Sequence, residues 1–349
     1  MTDALAIVLP FAVVSAPLLK VLAYSQKHNR PSQGWFVAMV AGSLALLSII
    51  GLRYFHTFDF NITLLVPGLA LFAAGVILRP LALAAEMGDL KLKWFYPVVL
   101  GLAIAFLTYV FPEGFYGYPE AYMVWIERFF IATSWVGFAT LFARQDGLDG
   151  NVALMTVFIG FGLAVMAKGV ALFAMILIGC SLGFMRFNRP PAKVTMGFTG
   201  SFWLGFILAG LAIMSLMPHP LSNADCLSLL TLMLYPLADS LQAGLATWRN
   251  KKPFDDNLWA GRLLGGGIQP VNLLIRCIFV HFLLFFLSIL GYVAHQSLYT
   301  LLFGALLLAL HHVNIKRLCE VKVKGPTAQK AKVGKASQGK TSKPRAKKK

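Results

Sequence analysis

The sequence predicts an all-α, polytopic integral membrane protein of about eleven transmembrane helices, and three observations carry that prediction. Of its 349 residues, 58% are hydrophobic and only 13% charged, with a mean hydropathy of +0.71, whereas soluble domains hold roughly 45–50% apolar residues. Apolar runs close to the ~20 residues that cross ~30 Å of hydrocarbon recur along the whole chain. The segments between them alternate between basic and charge-poor, as loops on opposite membrane faces do.

The runs lie at 4–24, 34–53, 61–79, 94–112, 122–142, 151–167, 169–187, 201–217, 226–247, 272–294 and 297–315. The first has neither a basic leader nor a small-residue cleavage site, and reads as a retained span. Basic residues follow the odd-numbered runs: Lys20, Lys27 and Arg30; Arg79, Lys91 and Lys93; Arg144; Arg186, Arg189 and Lys193; then Arg249, Lys251, Lys252 and Arg262. Segments 112–121, 218–225 and 294–297 hold no basic residue. The positive-inside rule then predicts an outside N-terminus, a cytoplasmic C-terminus and a multi-pass protein of the inner (cytoplasmic) membrane.

After the last run the composition changes. Segment 316–349 holds thirteen Lys or Arg against the single acid Glu320, which accounts for +12 of the net charge of +17. With almost no large apolar residue after Val323 it cannot bury a core, so 316–349 reads as a disordered cytoplasmic tail behind a membrane domain of 1–315. Its charges suit anionic lipid headgroups, each worth ~1 kcal/mol near such a surface. Nucleic acid is disfavoured, because no aromatic residues are interleaved for base stacking. The four cysteines, Cys180, Cys226, Cys277 and Cys319, stand singly and imply neither a disulfide framework nor zinc. His219, His281, His295, His311 and His312 lack metal-ligand spacing.

Two loops carry the chemistry. In 143–150, Ala-Arg-Gln-Asp-Gly-Leu-Asp-Gly, Asp146 and Asp149 read either as part of a ligand site or as acids of a turn, since Asp-Gly favours turns. A calcium loop is excluded, because the twelfth position from Asp146 is Val157 where an EF-hand needs Glu. In 179–205 an apolar helix runs into Asn188, and a polar loop carries Arg189, Pro190, Pro191 and Lys193. Met196-Gly197-Phe198-Thr199-Gly200-Ser201 then opens the next helix. Gly197 and Gly200 let backbone amides approach an anion, and Ser201 stands at the positive dipole end of that helix.

The second loop resembles the polyprenyl-phosphate sugar-1-phosphate transferases, a glycosyltransferase family 4 group that moves a phosphosugar from a UDP-sugar to a lipid phosphate. Their segment reads approximately G-x-x-L-G-F-x-x-x-N-x-x-P-A-K-x-F-M-G-D-x-G-S-x-x-L-G. Gly183, Phe184, Asn188, Pro191, Ala192, Lys193, Met196, Gly197, Gly200, Ser201, Leu204 and Gly205 match it. Asp146 and Asp149 match the family's N-x-x-D-G-x-D-G, with Ala143 replacing the asparagine. Eleven spans, N-out and C-in, also suit the family. The resemblance implies substrate-binding roles for Asp149, Asn188, Lys193, Gly197, Gly200, Ser201 and Arg262, with Asp146 as the remnant of the catalytic and metal site.

Three departures point away from normal chemistry. Phe198 replaces the aspartate of M-G-D, and an aromatic ring offers a hard cation no oxygen. Arg79-Pro80 stands where the family carries an Asp-Asp pair, with Glu86 and Asp89 the nearest alternatives. The family's H-x-H-H-R-L-L is reduced to Arg262-Leu263-Leu264 after Asp255-Asp256-Asn257-Leu258-Trp259. Asp239, inside the ninth run, matches the family's P-x-x-D-[ST] and reads as a hydrogen-bonder between helices, because buried carboxylates in lipid need partners.

The expectation is thus a catalytically degenerate relative that binds polyprenyl phosphate or a nucleotide-sugar, or serves as partner to an active enzyme or a second copy of itself, with no cofactor. The alternative is a divergent, active phosphotransferase of cell-envelope biogenesis that uses Mg²⁺ held by Asp146 and Asp149, with Asp255 or Asp256 completing the site. A transporter would show matched broken helices in repeated halves, and the sequence shows none.

Overall fold

The computed structural model describes residues 62–77, 94–114, 119–216, 223–251 and 253–323. Twelve α-helices and two short 3₁₀ turns make up its described part, with no strand among those residues: α1 Ile62–Ile77, α2 Phe95–Val110, α3 Ala121–Ala143, α4 Asn151–Met166, α5 Ala171–Asn188, α6 Gly197–Ser215, α7 Asn223–Leu232, α8 Leu234–Asn250, α9 Phe254–Asn257, α10 Trp259–Gly265, α11 Pro270–Ala294 and α12 Ser297–Val323. The all-α fold expected from the sequence is present. Nine of the expected runs fall on described residues, and each is helical there. Five helices are long and apolar enough to cross a membrane, and α7 with α8 makes a sixth if the bent pair counts as one span. The runs at 4–24 and 34–53 lie outside the described residues.

Helix α6 forms the centre. It is apolar all round, and 83% of its most apolar window is buried, the mark of a helix surrounded by others and not by lipid. Helix α3 packs along it, α1 and α4 touch it, α4 pairs with α5, and α11 with α12 closes the opposite side against α7 and α4. Helix α12, by contrast, is only 22% buried in its apolar window.

The α3–α6 crossing is close because Gly205 meets Phe142 and Ala139. A β-carbon at Gly205 would stand 2.7 Å from the Phe142 Cβ and 3.1 Å from the Ala139 Cα. Small residues at such a crossing let backbones approach where lipid supplies no hydrophobic drive. One turn further on, Trp135 donates its indole N–H to the Phe206 carbonyl at 2.7 Å and stacks on the Phe206 ring at 4.5 Å. Gly205→Val is therefore expected to force the two helices apart and destabilise by about 1–3 kcal/mol, the usual range for overpacking. A thermal melt of the purified protein in detergent checks this, and an unchanged midpoint would contradict the close crossing.

Two features depart from the sequence reading. The ninth run is broken: Cys226–Leu232 and Leu234–Arg249 meet at 64°. Pro236 explains the break, because it has no N–H to offer the carbonyl of Leu232, and its ring crowds the preceding turn. Among the described residues this break has no matched counterpart of the kind a transporter would carry. The second departure is α12, which continues to Val323, so 316–323 is helical where a disordered tail was expected. Ile315 is buried and Leu318 packs on the core, which holds that end of the helix down. Residues 324–349 lie outside the described residues.

Away from the loops singled out above, α3 contains an acid and a base that the apolar reading of 122–142 passed over. Arg128 is buried and donates through Nη2 to the carbonyls of Phe111, at 2.9 Å, and Pro112, at 2.7 Å. It thereby satisfies carbonyls left open at the end of α2.

Candidate functional site

The 3₁₀ turn Arg144–Gly147 and the loop 189–196 meet at one end of the bundle, where α3, α4, α5 and α6 begin or end. Their junction is made by side chains reaching across to backbone. Asn188, buried at the end of α5, accepts from the Gly150 N–H at 2.8 Å and donates to the Val194 carbonyl at 2.8 Å. Asp149 Oδ2 accepts from the Ala192 N–H at 3.0 Å. Asp146 Oδ2 accepts from the Gly197 N–H at 2.7 Å. Gly150 and Gly197 both have positive φ, 83° and 70°, which fits glycine at these two bends.

Asp146, Asp149, Asn188, Lys193 and Gly197 therefore come together at one junction. The N-terminus of α6, read from sequence as an anion site, is faced by the chain's own carboxylate, that of Asp146. Ser201 is fully buried and gives its hydroxyl to the Gly197 carbonyl at 2.9 Å, so it supports the helix from within. Gly200 is buried beside it. Lys193 is exposed, with its backbone N–H tied to the Phe187 carbonyl at 2.8 Å, which leaves its ammonium at the rim.

Phe198 follows Gly197 directly, and so lies beside Asp146. Its ring packs edge-on to Phe95 at 6.0 Å and against Phe202 at 5.7 Å. Phe95 also meets Phe202 edge-on at 5.1 Å. An aromatic cluster thus lines the position that the family gives to a carboxylate. The Arg79-Pro80 segment, Glu86 and Asp89, expected to converge here, lie outside the described residues.

A second layer joins this junction from α8 to α10. Gln145, almost fully buried, receives Asn151 Nδ2 on its carbonyl at 3.4 Å and reaches Ser240 Oγ at 3.5 Å. Next to Ser240, Asp239 is fully buried and accepts through Oδ1 from the Trp259 N–H at 2.8 Å and from Gln242 Nε2 at 3.2 Å. Asp239 is thus the hydrogen-bonder between segments that its apolar setting suggested. It also holds the first N–H of α10, the helix that carries half-buried Arg262. Arg262 lies close enough to Asp239 to interact with its carboxylate.

Sequence reasoning missed Gln145, Asn257 and Gln242. Asn257 donates to Thr247 Oγ1 at 3.0 Å and to the Pro253 carbonyl at 3.1 Å, while its own carbonyl accepts from Gln242 at 2.7 Å. The available signal was a polar amide just after a Pro-Phe pair and two acids, a common turn composition. Asp255 and Asp256, weighed as a relocated metal pair, sit on the exposed short helix α9. Asp255 pairs with Arg144 at 3.6 Å, and the Arg144 guanidinium lies over the Phe254 ring at 5.7 Å.

Among the described residues no three His, Cys, Asp or Glu side chains stand close enough to share a divalent cation. Asp146 and Asp149 each commit an oxygen to a backbone amide, and Phe198 supplies none. Arg189 and Lys193, both exposed, place positive charge on the loop that joins this junction.

Residues 64–216 match the family model described as Glycosyl transferase family 4. The chain is 34% identical over 213 residues to a phospho-N-acetylmuramoyl-pentapeptide-transferase of Carboxydothermus hydrogenoformans, covering 54% of this chain and 63% of that protein. It is 29% identical over 209 residues to the protein of the same name from Leuconostoc citreum, covering 56% and 64%. A third such transferase, from Limosilactobacillus fermentum, is 38% identical over 117 residues, covering 32% and 37%. The chain thus spans less than two thirds of the length of each of these relatives. The loops that meet around Asn188 fall within the matched segment, and through residues 64–216 the chain is similar to glycosyl transferase family 4.

Proposed function

We propose that this chain is a degenerate sugar-1-phosphate transferase of the inner membrane, one that keeps the fold and binds a phosphorylated ligand without carrying out transfer. The observation that carries the reading is the 2.7 Å bond from the Gly197 N–H to Asp146 Oδ2, beside a Phe198 ring packed on Phe95 and Phe202. Phosphoryl transfer rests on neutralising and positioning charge. Here the retained acids serve the backbone, and an aromatic ring stands at the third position. Arg189, Lys193 and Arg262 remain as cations able to hold polyprenyl phosphate or the diphosphate of a UDP-sugar without a metal. In this role the chain would tune lipid-phosphate availability, or seat beside an active enzyme or a second copy, in cell-envelope polysaccharide synthesis.

Purified protein is expected to release no UMP from UDP-sugars in the presence of polyprenyl phosphate and Mg²⁺. Phe198→Asp is expected to remain inactive, because one carboxylate restores neither the Asp-Asp pair replaced by Arg79-Pro80 nor the histidine loop. Robust wild-type turnover that disappears in Asp146→Ala would overturn the proposal and establish the divergent, Mg²⁺-using enzyme instead.

A further inference from the structure

At the same end of the bundle, but on its α11–α12 side, lies a shallow groove of about 610 Å³ lined by Gly267, Ile268, Gln269, Asn272, Ile275, Arg276 and Leu318. None of these residues takes part in the Asp146 junction. Gln269, Asn272 and Arg276 are spaced three and four apart and so share one face of the start of α11. Their side chains make no hydrogen bond or ion pair among the described residues. Arg276 stands about 9 Å into an apolar helix, from six residues at 1.5 Å each. An arginine at that depth is costly unless its guanidinium finds an anion or reaches the interface.

The residues that line the groove supply no anion. No groove-lining residue is acidic, His311 is close enough to interact with Arg276 as a fellow basic group, and exposed Lys316 and Arg317 lie on the adjoining turn of α12. Beside these residues and on along α11, Val271, Ile275, Ile278, Phe279 and Phe282 are exposed in one apolar stripe. From Asn272 to Phe282 the helix rises ~15 Å, about the depth of one leaflet's acyl chains. Cationic and amide donors over the first two turns of α11, beside an apolar stripe that runs on for the depth of one leaflet, match a single amphiphile in charge and in length.

We propose that this groove is a binding site for an anionic phospholipid. Its headgroup phosphate sits on Arg276, Asn272 and Gln269, and its acyl chains lie along Val271, Ile275 and Phe279. The site is separate from the ligand junction around Asn188 and does not depend on whether that junction is catalytic.

Native mass spectrometry of the full-length protein, titrated with phosphatidylglycerol or phosphatidylcholine of identical chains, tests this. The wild type is expected to retain phosphatidylglycerol in preference. Arg276→Gln is expected to reduce that preference about fivefold, the worth of one basic residue at an anionic surface, while Arg249→Gln, at an exposed position near the end of α8, leaves it unchanged. Should Arg276→Gln fail to fold, the double variant Gln269→Leu, Asn272→Leu keeps the charge, removes the amide donors and is expected to weaken retention as well. Equal retention of the two lipids by the wild type would overturn the proposal, as would retention by whichever of the two groove variants folds that equals that of Arg249→Gln.

Discussion

Asn188→Ala is expected to destabilise the protein by about 2–5 kcal/mol and to open the loop 189–196 to protease. Its side chain is buried and satisfies two groups, the Gly150 N–H and the Val194 carbonyl, on two different loops. Alanine removes both partners at once, and each buried polar group left without a partner costs roughly 1–3 kcal/mol. Water has little access, because Gly150 and Val194 are themselves buried. Asn188→Asp keeps an acceptor for Gly150 but turns a second oxygen toward the Val194 carbonyl, so it should rescue little. A thermal melt reads the stability, and trypsin cleavage after exposed Lys193 reads the loop. Wild-type behaviour in both assays would mean that the two loops hold together without this residue.

The apolar signal in this chain is strong, and so the helices are legible in the sequence. Runs at 94–112, 122–142 and 297–315 correspond to helices that differ mainly in where they stop. The departures came from single residues that window averages hide. Pro236 breaks a run whose hydropathy is continuous across it, and Ile315 with Leu318 carries a helix into a stretch whose overall composition reads as tail. Arg128 disappears into an apolar run because its two carbonyl partners lie 16 and 17 residues earlier.

The site was legible in its residues and not in their roles. The matches around Asn188, Lys193 and Gly197 fall at one junction, because spacing between spans fixes which loops share a membrane face. Spacing does not say whether a carboxylate points outward to a ligand or inward to an amide. Asp146 and Asp149 were open to either reading. Their bonds to Gly197 and Ala192 make them braces between loops, which the turn reading of Asp-Gly had allowed for without naming a partner. Phe198 could be read as the loss of a ligand, but not as a gain of packing with Phe95, a residue about a hundred positions earlier.

The same logic of carboxylates turned to backbone makes Asp239→Ala the second large effect. Asp239 is fully buried in the bent span and holds the first N–H of α10 together with Gln242. Alanine leaves the Trp259 N–H without a partner at the start of a seven-residue helix, which is too short to persist without its contacts. The indole of Trp259 then loses its registration on Tyr235, centroids 5.3 Å apart, and its bond to His312 at 3.1 Å. We expect a loss of about 2–4 kcal/mol, from one orphaned buried donor and the packing that depends on it. Asp239→Asn keeps an acceptor oxygen for Trp259 and should cost about 1 kcal/mol or less, the net worth of an ordinary hydrogen bond. Melts of the two variants separate a hydrogen-bonding role from a need for charge. If Asn is as damaging as Ala, the carboxylate acts through its charge, and Arg262, on the same short helix, becomes the group to test against it.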